Sequence, residues 1–263
     1  MARLELKKFG GARYIARREI IEQNRLRQSF ERKLTLNLIT QFAEIGDIAR
    51  REYLERRSIE LTGTLIEGQL IKILEPHYRS VIEAFGLRVL RFQKQDSQFE
   101  ILIRDYMRIF GLLAIQKIST TTRKSLVKTM LMADADGFGV DYVANAIYQS
   151  TRGQFNKLRS ATIARTETHS AASYANHSVA KSLNLPEMQK QWVSVSDGRT
   201  RSNHSAMNGV KIPMDEDFEV NTPYGTALMS RPGDSRGGAS NTVNCRCVLL
   251  YVTPEDIVDD ERD

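Results

Sequence analysis

Three side chains near the C-terminal end have the chemistry to bind a metal or to carry a nucleophile: His204, Cys245 and Cys247. The two cysteines are two residues apart, so on a strand both thiols face one side. With His204 they could supply three ligands of a tetrahedral zinc site, closed by His169, Asp197 or water. Zinc is the one cofactor for which the sequence offers such a set. The spacing is not that of the usual structural pairs, C-x-x-C or H-x-x-x-H, and the plainer expectation is a pair of buried cysteines acting as small apolar groups. Adjacent-but-one cysteines also bridge poorly, which argues against a disulfide. An enzyme built here would be a metal-dependent hydrolase or transferase using Glu167, His204 and the cysteine pair, with His204 as the base beside a thiol. Other catalytic patterns are missing: the sequence has no Gly-rich phosphate loop, no G-x-S-x-G and no H-E-x-x-H. Glu167-Thr168-His169 is not the pair of glutamates flanking one residue expected of an ADP-ribosyltransferase. Asp134–Gly139 resembles the start of a calcium loop but places Phe138 at the fifth ligand position, so a turn between helices is expected there.

The candidate ligands belong to three polar anchors: Ile163-Ala164-Arg165-Thr166-Glu167, Asp197-Gly198-Arg199-Thr200-Arg201 leading to His204, and Asn244-Cys245-Arg246-Cys247. Apolar periodicity indicates how the chain positions them. Up to about residue 181 the chain reads as helix. Leu34, Leu38, Phe42, Ile45, Ala49 and Tyr53 form one stripe of a helix over about 12–57. Arg50, Arg51, Arg56 and Arg57 lie on its other faces, a solvated surface or one that docks on a polyanion or an acidic partner. Thr62-Gly63-Thr64 is expected to break or cap that helix, and Pro76 to kink or end the next. Further helical runs cover 78–92 and 99–118. Ser119–Thr122 is expected to cap a helix over 123–132. Helices follow over 142–150 and 153–181. Arg165, Thr166 and Glu167 lie in the last, among small alanines, where a fixed polar network joining helix to sheet is the expected role.

After Pro186 the pattern changes. Residues 188–195, around Trp192, alternate as a half-buried strand, and 246–252 read as a buried strand beside it. Arg201–Asn208 predicts a short helix closed by Gly209. Residues 210–220 predict one or two short strands, and 221–241 loop. The fold class is therefore α+β: a mostly helical N-terminal domain, then a small mixed α/β module with a short sheet. The divisions are a basic arm over 1–11, a helical domain over 12–140, the module over 141–252 and an acidic tail over 253–263.

At 263 residues with 41% hydrophobic and 27% charged residues, the chain has an ordinary globular composition. It contains no apolar run long enough to span a bilayer, so no membrane partner is expected. The start lacks an apolar h-region, so Sec export is not expected. The net charge of +6 is uneven: residues 1–200 carry 32 Lys and Arg against 21 Asp and Glu, and residues 201–263 carry 6 against 11. A basic body of this kind suits double-stranded DNA or an acidic protein surface.

The anchors, taken together with Trp192 and Gly209 in this order and spacing, resemble the minor head, or head-morphogenesis, family of tailed phages typified by the F protein of phage Mu. The matching residues are Arg165, Thr166, Glu167, Trp192, Asp197, Arg199, His204, Gly209, Asn244 and Arg246, within about 140–252. The resemblance implies a structural, low-copy virion protein inside the head and near the portal, present in the host cytoplasm during assembly. Its implied partners are the portal protein, the major capsid or scaffolding protein, and packaged DNA bound without sequence specificity. Many relatives carry a C-x-x-C after the Asp-x-Arg element and a His-Pro before Cys-Arg-Cys, which looks like a zinc site. Here those places hold Arg201 and His204, and Thr242-Val243, so His204 is the retained candidate.

Overall fold

The structure, a computed structural model, describes residues 12–90, 96–222 and 225–253. The basic arm over 1–11 and the acidic tail beyond Thr253 lie outside the described residues.

The helical stripe read from the sequence is the backbone of the molecule. Helix α1 (Ala12–Arg56) runs 45 residues, about 67 Å at 1.5 Å per residue. Its stripe from Leu34 to Tyr53 is buried throughout. It stops at Arg57, whose φ of 57° breaks the helical path. Helix α2 (Glu60–Val89) starts three residues later, so Thr62-Gly63-Thr64 lies inside its first turns rather than ending α1. The cap comes from α1 instead. The Glu52 carboxylate accepts from the backbone N–H groups of Leu61 (2.9 Å) and Thr62 (2.7 Å) and from the Thr62 hydroxyl (2.6 Å), satisfying donors that a helix start leaves orphaned.

Two other expected helix boundaries are absent. Pro76 sits within α2, where Ile66, Leu70, Leu74, Tyr78, Val81, Ile82 and Phe85 form one buried stripe on both sides of it. Packing along that stripe outweighs the single backbone bond that proline removes. Ser119–Thr122 likewise lies inside a continuous helix. Helix α3 (Asp96–Tyr106) passes through a π turn, Met107–Gly111, into α4 (Leu112–Ala135). The Thr121 and Thr122 hydroxyls donate back to the Ile118 carbonyl instead of capping a new helix. The π turn adds a residue to its helical circuit, in a segment where Tyr106 and Phe110 both pack on Tyr174.

The turn expected at Asp134–Gly139 joins α4 to α5 (Val140–Ser150), with Gly137 and Gly139 both at positive φ. Helix α6 (Gly153–Ser182) then lies against both α1 and α2. Its alanines, Ala164, Ala171, Ala172 and Ala175, are fully buried and allow this close approach. Helices α5 and α6, grouped by the sequence reading with the C-terminal module, contribute their buried faces to the helical core.

The module follows: β1 (Gln189–Val193), α7 (Ser202–Ala206), β2 (Lys211–Pro213), β3 (Phe218–Thr222), β4 (Gly225–Met229), a 3-10 turn at Ser235–Gly237, α8 (Gly238–Thr242) and β5 (Val248–Val252). Strand β1 is central in an antiparallel sheet of order β2-β1-β5, with Trp192 opposite Leu249. The expected neighbour of the Trp192 strand is therefore the one found. Strand β4 and helix α8 fall in a stretch read as loop. Strand β4 alternates weakly and only Met229 is buried, so the hairpin is held by pairing with β3. A second core unites Trp192, Met207, Phe218, Val220, Met229, Cys245, Cys247 and Leu249.

Candidate functional site

The three polar anchors converge. The first lies on α6 and holds the third: Arg165 Nη1 donates to Asn244 Oδ1 at 2.7 Å, and the Thr166 hydroxyl accepts the Asn244 backbone N–H at 3.2 Å. Asn244 takes a φ of 58°, a conformation that Asn tolerates better than most side chains. The second anchor holds the third from the opposite side. Arg246 places both terminal nitrogens on Asp197, at 2.6 and 2.7 Å, a two-point pairing that fixes the plane of both groups. Asp197 also accepts from the Arg199 backbone N–H and the Thr200 hydroxyl, closing an Asx turn. The Arg246 pairing, aided by the Arg199 N–H, keeps its carboxyl well below the usual carboxylate range. Arg199 itself points outward, 3.5 Å from the same carboxylate. Arg201, in turn, donates to the Val243 carbonyl.

This frame sets His204 against the cysteines. Helix α7 ends at Ala206, short of the expected Asn208, and the turn that follows it closes at Gly209, whose φ of 88° would strain any side chain. Its N–H donates to the Trp192 carbonyl at 2.8 Å, pinning the α7 turn to β1. His204 Nδ1 then lies 3.6 Å from the sulfurs of both Cys245 and Cys247. All three residues are buried, and their ligand atoms lie within 4.8 Å of one another. Both thiols are free. Cys245 and Cys247 contend for one proton: Cys247 and the imidazoles of His169 and His204 pull the Cys245 thiol far down, while Cys245 and burial push Cys247 up. Beside them is a cavity of about 10 Å³ lined by Arg199, Thr200, Arg201 and Asn244, about the space of one water.

Glu167 stands apart from this cluster. Its carboxylate faces α2 and accepts from the Tyr78 hydroxyl at 2.8 Å. Burial raises its pKa to about 7, against the Tyr78 hydrogen bond and Lys117, which lower it. The constellation of Glu167, His204 and the cysteine pair is therefore not assembled. Arg50, Arg51, Arg56 and Arg57 are exposed at the C-terminal end of α1. Arg50 reaches over the Tyr148 ring, and Arg57 donates to the carbonyls of Tyr53 and Leu54, where a cation offsets the helix dipole.

The sequence reading missed two buried arginines. Arg27 on α1, 2% exposed, donates to His169 Nδ1, to Asn24 and to the Arg246 carbonyl. The signal was present: Arg27 lies seven residues before Leu34 and Gln23 eleven before it, so the buried stripe continues backward as polar residues. Gln23 accepts from Asn176 of α6 at 3.2 Å. Arg231, also 2% exposed, lies over the rings of Phe110 and Tyr174 and 3.8 Å from Asp234. Burial opposes ionisation of Asp234, yet Arg236 and Arg231 hold its pKa at about 2. No periodicity marks Arg231, because it sits in a loop whose ring partners come from the π turn and α6.

Comparison with known proteins places this geometry in context. Residues 118–250 match the family described as Phage Mu protein F like protein, a span that holds all three anchors. Over 209 residues, 76% of the chain, the protein is 32% identical to Minor head protein GP7 of Bacillus phage SPP1 and covers 63% of that protein's length. It is 30% identical over 116 residues to NAD(+)--arginine ADP-ribosyltransferase EFV of Enterococcus faecalis, covering 42% of the chain and 22% of that protein. It is also 34% identical over 109 residues to Uncharacterized protein YqbB of Bacillus subtilis, covering 40% of the chain and 34% of that protein. The chain thus spans less than two thirds of the length of each of these relatives. No solved structure matches.

Proposed function

The chain belongs to the Phage Mu protein F like family, and from that premise we propose that it is a structural minor head protein of a tailed phage, low in copy number and seated inside the head against the portal. The observation that carries this reading is the 32% identity to a minor head protein along 76% of the chain. The geometry supports it. Arg165, Thr166 and Asn244 tie the module to the helical body, and the Asp197–Arg246 pair braces the module itself, as befits a part that must hold its shape in an assembly. Glu167 is turned toward α2 and away from the His–Cys cluster, which weakens a hydrolase or transferase reading. The protein acts without turnover.

The portal is the principal partner, with the major capsid or scaffolding protein contacted during assembly and double-stranded DNA met without sequence preference. Arg50, Arg51, Arg56 and Arg57 give α1 an exposed cationic end suited to either an acidic ring surface or phosphates. The test is co-expression with the portal protein of the same phage genome, followed by affinity purification and size-exclusion chromatography. A stable complex supports the reading. A monomer that ignores the portal at micromolar concentration overturns it. Replacing the four arginines by glutamate is expected to weaken the complex at least tenfold with the fold intact by circular dichroism. DNA binding, if the same face carries it, falls steeply with added salt.

A further inference from the structure

We propose that His204 Nδ1, Cys245 Sγ and Cys247 Sγ bind one zinc ion, with water in the fourth position on the side of the Arg199–Arg201 cavity. The proposal is independent of the portal reading and concerns what holds the module closed.

The distances carry the argument. Zinc bonds of about 2.3 Å to sulfur and about 2.05 Å to nitrogen, at the tetrahedral angle, place nitrogen and sulfur about 3.55 Å apart. His204 Nδ1 lies 3.6 Å from each sulfur, and the nitrogen and both sulfurs fit inside 4.8 Å. One imidazole nitrogen cannot donate to two sulfurs at once, but it can share a metal with both. Two thiolates neutralise the charge of Zn²⁺, so the buried site gains no net charge from the ion.

The surroundings suit a thiolate-bound metal as well. Trp192 Nε1 and His169 Nε2 are buried without a hydrogen-bond partner. Trp192 stands edge-on to the His204 ring, with ring centroids 5.3 Å apart. His169 is not a ligand. Its Nδ1 meets the Arg27 guanidinium, which can only donate, so its proton resides on Nε2. A protonated nitrogen is no ligand. Gly233 backs the ring closely: a Cβ there would stand 2.8 Å from His169 Cδ2. Asp197 is excluded as the fourth ligand because Arg246 occupies both its oxygens. Among the described residues, no other histidine, cysteine or carboxylate joins the cluster. The cavity of about 10 Å³ at the site has room for one water. A sulfur and nitrogen set in a tetrahedral arrangement selects zinc over the oxygen-seeking cations.

The experiment is elemental analysis of the full chain, purified without chelator, together with absorption spectra after replacement by cobalt. The expected result is one zinc per chain, a thiolate-to-cobalt charge-transfer band and the visible bands of tetrahedral cobalt. Cys245→Ser and Cys247→Ser should each lose stoichiometric metal, and His204→Cys should keep it. If the serine variants do not fold, mercurial blocking of the thiols in the wild-type chain should release zinc to a chromogenic chelator in a one-to-one ratio. Wild-type chain that holds no zinc after equilibration with excess metal, and gives no charge-transfer band with cobalt, overturns the proposal. So does full zinc content in a folded Cys245→Ser, Cys247→Ser double variant.

Discussion

Glu167 shows how one half-buried carboxyl can shape the response to pH. Its folded pKa of about 7 lies above the ordinary 4.5, so the folded state holds a proton that the unfolded chain has released. Its stabilising contribution is complete below about pH 4.5 and is lost as pH rises through 7. Glu167→Gln keeps an acceptor for Tyr78 and has nothing to ionise. The variant is expected to lie close to the wild type at pH 4.5 and to exceed it by about 3 kcal/mol at pH 8, measured by urea denaturation at the two pH values. His177 and His77 act in the opposite sense. Burial lowers them to about 3 and about 4, so both are neutral in the fold and charge more readily once unfolded. Their contribution is complete above about pH 6.5 and fades as pH falls toward those values. Because they are unchanged in Glu167→Gln, the difference between the two proteins isolates the carboxyl group.

At the scale of the element, the helical body depends on junctions that propensity does not describe. Helix α2 begins where the Glu52 carboxylate meets three donors. Glu52→Ala leaves two backbone N–H groups and a buried hydroxyl without that partner, and is expected to cost about 1–2 kcal/mol in chemical denaturation. The packing of α3 on α2 is equally specific. A Cβ on Gly86 would stand 2.2 Å from Phe99 Cε1, against a buried ring. Gly86→Ala is therefore expected to destabilise by about 1–3 kcal/mol despite alanine's better helix propensity, with the loss read as a lower thermal midpoint.

For the whole molecule, two cores share one set of polar fasteners. The helical core and the core around Trp192 are separate apolar clusters. Arg27, Arg165 and Thr166 on the helices reach across to Asn244 and Arg246 in the module. Arg165→Ala with Asn244→Ala removes the side-chain bond from this link and weakens it without opening either apolar core. The expected outcome in hydrogen exchange is faster exchange in β1 and β5, with α1, α2 and the middle of α6 unchanged. Uniform loss of protection throughout the chain would mean that the two cores unfold as one unit.

The sequence by itself determined what repetition and local chemistry can specify. The α1 stripe from Leu34 to Tyr53, the α4–α5 turn at Gly137 and Gly139, the short α7 with the turn that closes at Gly209, and the strands around Trp192 and Val248 were legible. Each depends on neighbours a few residues away or on a period of two or 3.6. The anchors Arg165-Thr166-Glu167, Asp197 to His204 and Asn244 to Cys247 were visible as well, but not which would meet. Only the tertiary structure decided that Arg165 holds Asn244, that Asp197 holds Arg246 and that Glu167 turns to Tyr78, because these pairs lie dozens of residues apart. It also decided that Pro76 and Ser119–Thr122 lie inside helices, where the buried stripe on both sides outweighs a local break. The burial of Arg27 and Arg231 belongs to the same class. A charged side chain enters a core only when groups from distant segments surround it, and no local pattern announces their arrival.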